Sequence, residues 1–207
     1  MKIGVYPGSF NPPTVGHVAI VKAAIRHHDL DRIDLVVSEV ALAKTKIENP
    51  SLDERMQVIA DSFAEVPEVN VIRTSLQLIA DIAQGYDVVV MGADKWAQIN
   101  DVKFYDSEAH MQESLSSLPT LAVAPRSGET VHESIRLDVP ETIAEVSSSL
   151  ARKTNFDWMT KAAQDFQVPG CALEVKTTRA VIPDRISVSN VQQLDGEGME
   201  HMLLTVV

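Results

Sequence analysis

The sequence predicts an α/β protein: a parallel sheet of about five to six strands with helices on both faces. Three observations predict it. Short apolar runs recur at residues 3–6, 33–38, 69–73, 87–91 and 120–124, with the length and uniform hydrophobicity of strands buried on both sides. Stretches with helical periodicity lie between them. The alternation calls for right-handed βαβ units, and so for a Rossmann-like sheet whose ligands bind beyond the carboxyl ends of the strands.

Composition bounds the rest. At 207 residues the chain suits one domain spanning 1–207, with a helical insertion at about 129–182. Cys171 is the only cysteine, which excludes an internal disulfide or a cysteine metal cluster. The chain enters a strand at once, without a signal-peptide apolar region, and no apolar run approaches a membrane span. It reads as cytosolic, with no membrane partner. A formal charge of −11 argues against nucleic acid as a partner, though not against a small phosphorylated substrate that needs only local positive charge.

The first strand, Ile3-Gly4-Val5-Tyr6, breaks into the loop Pro7-Gly8-Ser9-Phe10-Asn11-Pro12-Pro13. Thr14 is placed to cap a helix running from about residue 15 to 28, with His17 in its first turn. A helix start offers free N–H groups and partial positive charge, which suit a phosphate. Gly8 and Gly16 permit close backbone approach there, and Pro12 and Pro13 stiffen the loop. His27 and His28 sit where a helix C-terminus favours cations.

A polar loop with Lys44, Lys46 and Pro50 follows the second strand. Ser51-Leu52-Asp53-Glu54 forms a capping box, and Leu52, Met56, Ile59, Ala60 and Phe63 mark one face of the helix it starts. Arg55 falls in the first turn, near the carboxyl end of the second strand. After the third strand, Ser75 is expected to cap a short helix bearing Leu76, Ile79, Ala80 and Ala83, closed by Gly85. The fourth strand ends in Gly92-Ala93-Asp94, on the same rim as Gly8 and His17. Trp96 reads as core or subunit-interface packing. Residues 107–118 are expected to be helical. The fifth strand is followed by Pro125-Arg126-Ser127-Gly128, where Arg126 either faces a ligand or lies on the surface. Residues 140–151 and 155–166 show helical patterns, and 172–177 could form a sixth strand. An exposed apolar face on these later helices would favour a homo-oligomer.

Gly8-Ser9-Phe10-Asn11-Pro12 followed by Thr14-Val15-Gly16-His17 resembles the signature of the nucleotidyltransferases named for their H/T-x-G-H motif. Within them the chain is most similar to nicotinate-mononucleotide adenylyltransferases, then to phosphopantetheine adenylyltransferases. The resemblance is strong over residues 1–128 and partial over 183–192. It implies transfer of a nucleotidyl group from ATP to a small phosphorylated acceptor such as nicotinate or nicotinamide mononucleotide, with release of pyrophosphate. It gives His17 and Thr14 catalytic roles, and places Gly8, Ser9, Phe10, Gly16, Gly92 and Asp94 around the nucleotide. Arg55 and either Lys44 or Lys46 would hold the acceptor phosphate. Mg²⁺ would arrive with the nucleotide.

Arg185-Ile186-Ser187-Val188-Ser189-Asn190-Val191-Gln192 resembles the families' second signature, which implies nucleotide contacts from Ser187 and Ser189. Gln192 departs from it, standing where those families have arginine. The missing charge-assisted contact would cost on the order of 2–3 kcal/mol. That departure keeps open a catalytically degenerate nucleotide-binding protein acting as a sensor or partner. A cytidylyltransferase or a phosphopantetheine-type enzyme also remains open. A Rossmann dehydrogenase and a P-loop NTPase are excluded, because their glycine and Gly-Lys-Ser/Thr motifs are missing.

Overall fold

A computed structural model describes residues 1–39 and 50–166. Lys44, Lys46, Ser187, Ser189, Gln192 and the expected sixth strand lie outside the described residues.

Five parallel strands are described: β1 (Ile3–Pro7), β2 (Arg32–Ser38), β3 (Val69–Thr74), β4 (Val88–Gly92) and β5 (Thr120–Ala124). Their order is β3-β2-β1-β4-β5. β1 is central, with Gly4 beside Ile33 on one side and Val88 on the other. The chain winds outward to β3, then returns to place β4 against β1. The switch point therefore falls between the carboxyl ends of β1 and β4.

Strand alternation sends side chains to two cores. Ile33, Leu35 and Val37 of β2 pack with Ile20, Val21 and Ala24 of α1 (Val15–His28) and with Ile59 of α2 (Leu52–Ser62). Val5, Val36, Val89 and Met91 meet Ile79 and Ile82 of α3 (Ile79–Ile82) and Ala93 and Ile99 of α4 (Ala93–Ile99) on the other face. Each fully buried branched side chain there contributes about 1.5–3 kcal/mol of transfer free energy.

The helix of residues 15–28 forms as expected, capped by Thr14. Ser51 and Glu54 make the anticipated capping box on α2. Three expectations need correction. Ser75 does not cap α3: Thr74 Oγ1 accepts the Leu76 N–H at 3.1 Å and Ser38 Oγ donates to the Leu76 carbonyl at 2.7 Å, so the helix starts only at Ile79. α4, which the sequence reading did not anticipate, starts directly after β4, and Gly92 caps it without a side-chain bond. Residues 140–151 divide into a 3-10 turn, Glu141–Ile143, and α6 (Ser148–Lys153), because Ser147 takes an extended backbone and caps anew. Residues 155–166 likewise divide into a 3-10 turn, Phe156–Trp158, and α7 (Lys161–Asp165). There Met159 bridges to Thr14 and Thr160 donates its N–H to the Pro13 carbonyl at 3.1 Å, which holds both residues extended. The helix expected at 107–118 runs as α5 (Glu108–Ser116) behind a Ser107 cap.

One buried charge lies toward the amino ends of the strands. Asp34 is fully buried in β2. Its carboxylate is ion-paired with Arg32, whose Nε lies at 2.9 Å, and accepts from Arg32 Nη2 at 3.1 Å, Asn70 Nδ2 at 3.2 Å and Tyr86 Oη at 2.8 Å. A carboxylate so satisfied can be buried, whereas loss of a partner strands it. Burial, and then the bond to Asp34, push the Tyr86 phenol up to about 12. Tyr86→Phe should therefore cost about 1.5–3 kcal/mol in urea unfolding at neutral pH. The unfolded chain releases the Tyr86 proton first, so stability should fall as pH rises from about 10 to 12, less steeply in the variant.

Candidate active site

The rim between β1 and β4 is built from the loop after β1. Gly8 donates its N–H to Val36 of β2 at 3.0 Å, tying the loop to the sheet. A Cβ on Gly8 would lie 2.8 Å from the Phe10 ring. Phe10 takes a left-handed backbone, φ 42°, and turns its ring into the core. That ring meets Tyr6 edge-on at 5.2 Å and His17 at 5.1 Å between centroids. Phe10 is thus the floor under His17.

Thr14 and His17 cap α1 reciprocally. The Thr14 N–H donates to His17 Nδ1 at 3.0 Å, Thr14 Oγ1 lies 2.7 Å from the same nitrogen, and the His17 N–H reaches back to Oγ1 at 3.4 Å. The imidazole takes the place of the usual Glu or Gln of a capping box. Because Nδ1 accepts, the neutral ring carries its proton on Nε2, as a donor. Burial holds the His17 pKa down to about 4, helped by the Arg126 positive charge and opposed by Asp94. At neutral pH the site therefore offers an uncharged N–H beside the N–H groups of a helix start, a combination suited to a phosphate oxygen.

Gly16 is bare for a different reason from the one expected. A Cβ there would fall 3.0 Å from Val146 Cγ1, so its missing side chain admits the segment after β5 rather than a ligand. On the β4 side, Gly92 is the N-cap of α4. Asp94 is mostly exposed and pairs with Arg126, Nε to Oδ1 at 3.5 Å. Arg126 reaches from the end of β5 back over Gly92 and also donates to the Val146 carbonyl. Its charge is felt at both His17 and Tyr6. Burial pushes the Tyr6 phenol well up.

The structure thus brings together Thr14, His17, Gly8, Phe10, Gly16, Gly92 and Asp94, with Ser9 on the same loop. Arg126 lies with them, where the sequence left it open between a ligand contact and the surface. Tyr6 read only as part of an apolar strand, and nothing in the sequence singled out Val146. Arg55 stands in the first turn of α2, beyond the carboxyl end of β2. It is 6% exposed, and its Nε has no hydrogen-bond partner among the described residues. Burial lowers its pKa. A groove of about 410 Å³ lined by Asp53, Met56, Ala60, Val71 and Arg73 lies along edge strand β3, two strands from β1, and takes no part in this rim.

The chain is similar to several known proteins. The family model described as cytidylyltransferase-like matches residues 5–154. A second model, described as a putative PD-(D/E)XK family member, matches residues 157–207, most of which lie outside the described residues. A "Probable nicotinate-nucleotide adenylyltransferase" of Sulfurimonas denitrificans is 29% identical over 155 residues, covering 69% of this chain and 80% of that protein. A phosphopantetheine adenylyltransferase of an Acidovorax species is 41% identical over 69 residues, 33% of this chain and 39% of that protein. The solved nicotinic acid mononucleotide adenylyltransferase of Plasmodium falciparum, complexed with APC, superposes with a TM-score of 0.58 at 14% identity, over 79% of this chain and 92% of its own. At that identity the likeness shows the fold.

The depressed His17 pKa has a stability consequence. The unfolded chain takes up its proton near pH 6.5 and the folded one near 4, so stability should fall as pH drops through that window, by up to about 1.4 kcal/mol per unit. Urea unfolding from pH 7 to 4 should show this slope, and His17→Ala should flatten it.

Proposed function

The chain belongs to the cytidylyltransferase-like family, and on that premise we propose that it is an adenylyltransferase joining ATP to nicotinate mononucleotide or its amide. Such an activity would place it in NAD biosynthesis, in the cytosol. The observation that carries the reading is the His17 imidazole, fixed by its Nδ1 in the α1 cap with Nε2–H left as a donor at the switch point. Relatives matched over the longer stretches are named as nicotinate-nucleotide adenylyltransferases, which favours this acceptor.

In the proposed step an oxygen of the acceptor phosphate attacks the α-phosphorus of ATP. A new P–O bond forms, the bond to the bridging oxygen breaks, and pyrophosphate leaves with its electron pair. No covalent enzyme intermediate is needed, so catalysis rests on placement and on stabilising negative charge. His17 Nε2–H and the first N–H groups of α1 would bind oxygens at the α-phosphorus. Arg126 would add positive charge from the β5 side. Arg55 suits the acceptor phosphate, because a buried guanidinium N–H with no partner gains most from an anionic oxygen.

Among the described residues no three His, Cys, Asp or Glu side chains form a chelating group. The Mg²⁺ of this reading is the counter-ion of the triphosphate, and no step is routed through the protein's own carboxylates. No described helix is long and apolar enough to cross a membrane.

The test is pyrophosphate release with ATP or CTP against nicotinate mononucleotide, nicotinamide mononucleotide and phosphopantetheine. Release is expected with ATP and a pyridine mononucleotide, reduced about 10²–10³-fold in His17→Ala. ATP binding without release from any pair would overturn it in favour of a nucleotide-binding role. Arg55→Gln should raise the KM for the mononucleotide more than that for ATP.

A further inference from the structure

The segment after β5 holds the site loop by its carbonyl oxygens. Arg152 Nη1 donates to the Asn11 carbonyl, Ser148 Oγ donates to the Pro12 carbonyl at 2.8 Å, and the Thr160 N–H donates to the Pro13 carbonyl at 3.1 Å. Val146, just before this segment, fills the space that Gly16 leaves, and its carbonyl takes Arg126. One short stretch of chain thus touches the loop, the helix start and the cation.

The need for such a hold follows from the loop sequence. Pro12 and Pro13 have no N–H, so carbonyl oxygens are their only backbone polar groups. Oxygens left unengaged beside a phosphate site would put negative dipole ends against an anion. Engaged by donors, they are screened, and the loop is tied to a second element besides the sheet.

We propose that Arg152 and Ser148 are positioning residues for nucleotidyl transfer, bracing the loop so that His17 and the start of α1 meet the phosphates in one geometry. This rests on the adenylyltransferase reading above. Arg152 is exposed on its own helix, so its loss leaves the core intact. Small displacements of a phosphate-binding loop cost turnover more than fold.

The experiment compares the wild type with Arg152→Ala, Arg152→Lys and Ser148→Ala in turnover, ATP affinity by calorimetry, and thermal melting. Arg152→Ala should lower kcat about tenfold or more, with Tm within about 4 °C of the wild type. Arg152→Lys, which keeps a donor for Asn11, should restore most of it. In a His17→Ala background the same substitution should cost little, because the brace acts through that residue and its loop. The proposal is overturned if kcat stays within about twofold of the wild type in both alanine variants. It is also overturned if the loss follows Tm and lysine does not restore it. A wild type that binds ATP without turnover would defeat the adenylyltransferase reading alone. The brace would then stand if Arg152→Ala weakens ATP binding at unchanged Tm, and fall if affinity is unchanged.

Discussion

The site depends on a pair of hydrogen bonds at one turn of chain: Thr14 N–H to His17 Nδ1, and His17 N–H back to Thr14 Oγ1. A helix start needs its free N–H groups capped. Here the capping group also keeps its second ring nitrogen as a donor at the carboxyl-end rim. The bond that fixes where α1 begins also fixes the tautomer and tilt of the imidazole. Helix and chemistry therefore cannot move independently. Tyr6 and Phe10 close the underside of the ring, which keeps it neutral, and Gly16 lets the far end of the domain come up against the same turn.

The two ends of the sheet have separate tasks. Toward the amino ends, the buried Asp34 carboxylate gathers Arg32, Asn70 and Tyr86 around it. At the carboxyl ends the polar groups are only partly matched. Arg126 shares its guanidinium between Asp94 and a carbonyl, and Arg55 keeps a buried nitrogen without a partner among the described residues. In a chain of net charge −11, the cations left incompletely paired are the informative ones.

Much of this was legible from residues alone, and the reason is locality. The bounds of α1, the Thr14 cap, the Ser51 box and the apolar strands each follow from neighbours in sequence. What escaped depends on distant partners. Residues 155–166 have a helical pattern, yet Met159 and Thr160 are held extended by Thr14 and Pro13. α4 escaped because Gly92 offers no side-chain cap to read. The brace escaped because its acceptors are carbonyl oxygens, which every residue has. Gly16 was readable as a close approach, but not as an approach by Val146.

The position of that brace along the chain also bears on how the site comes into being during synthesis. β1, the loop and α1 emerge first, but β1 gains its second neighbour only when β4 has been made, and the loop gains its carbonyl partners only after α6. Domains fold as units from the amino end as they leave the ribosome. A nascent chain released before Ser148 would own every residue of the H/T-x-G-H-like motif and all five described strands, yet hold the loop after β1 by the sheet alone. The geometry of the first seventeen residues thus waits on a stretch translated well after the five described strands.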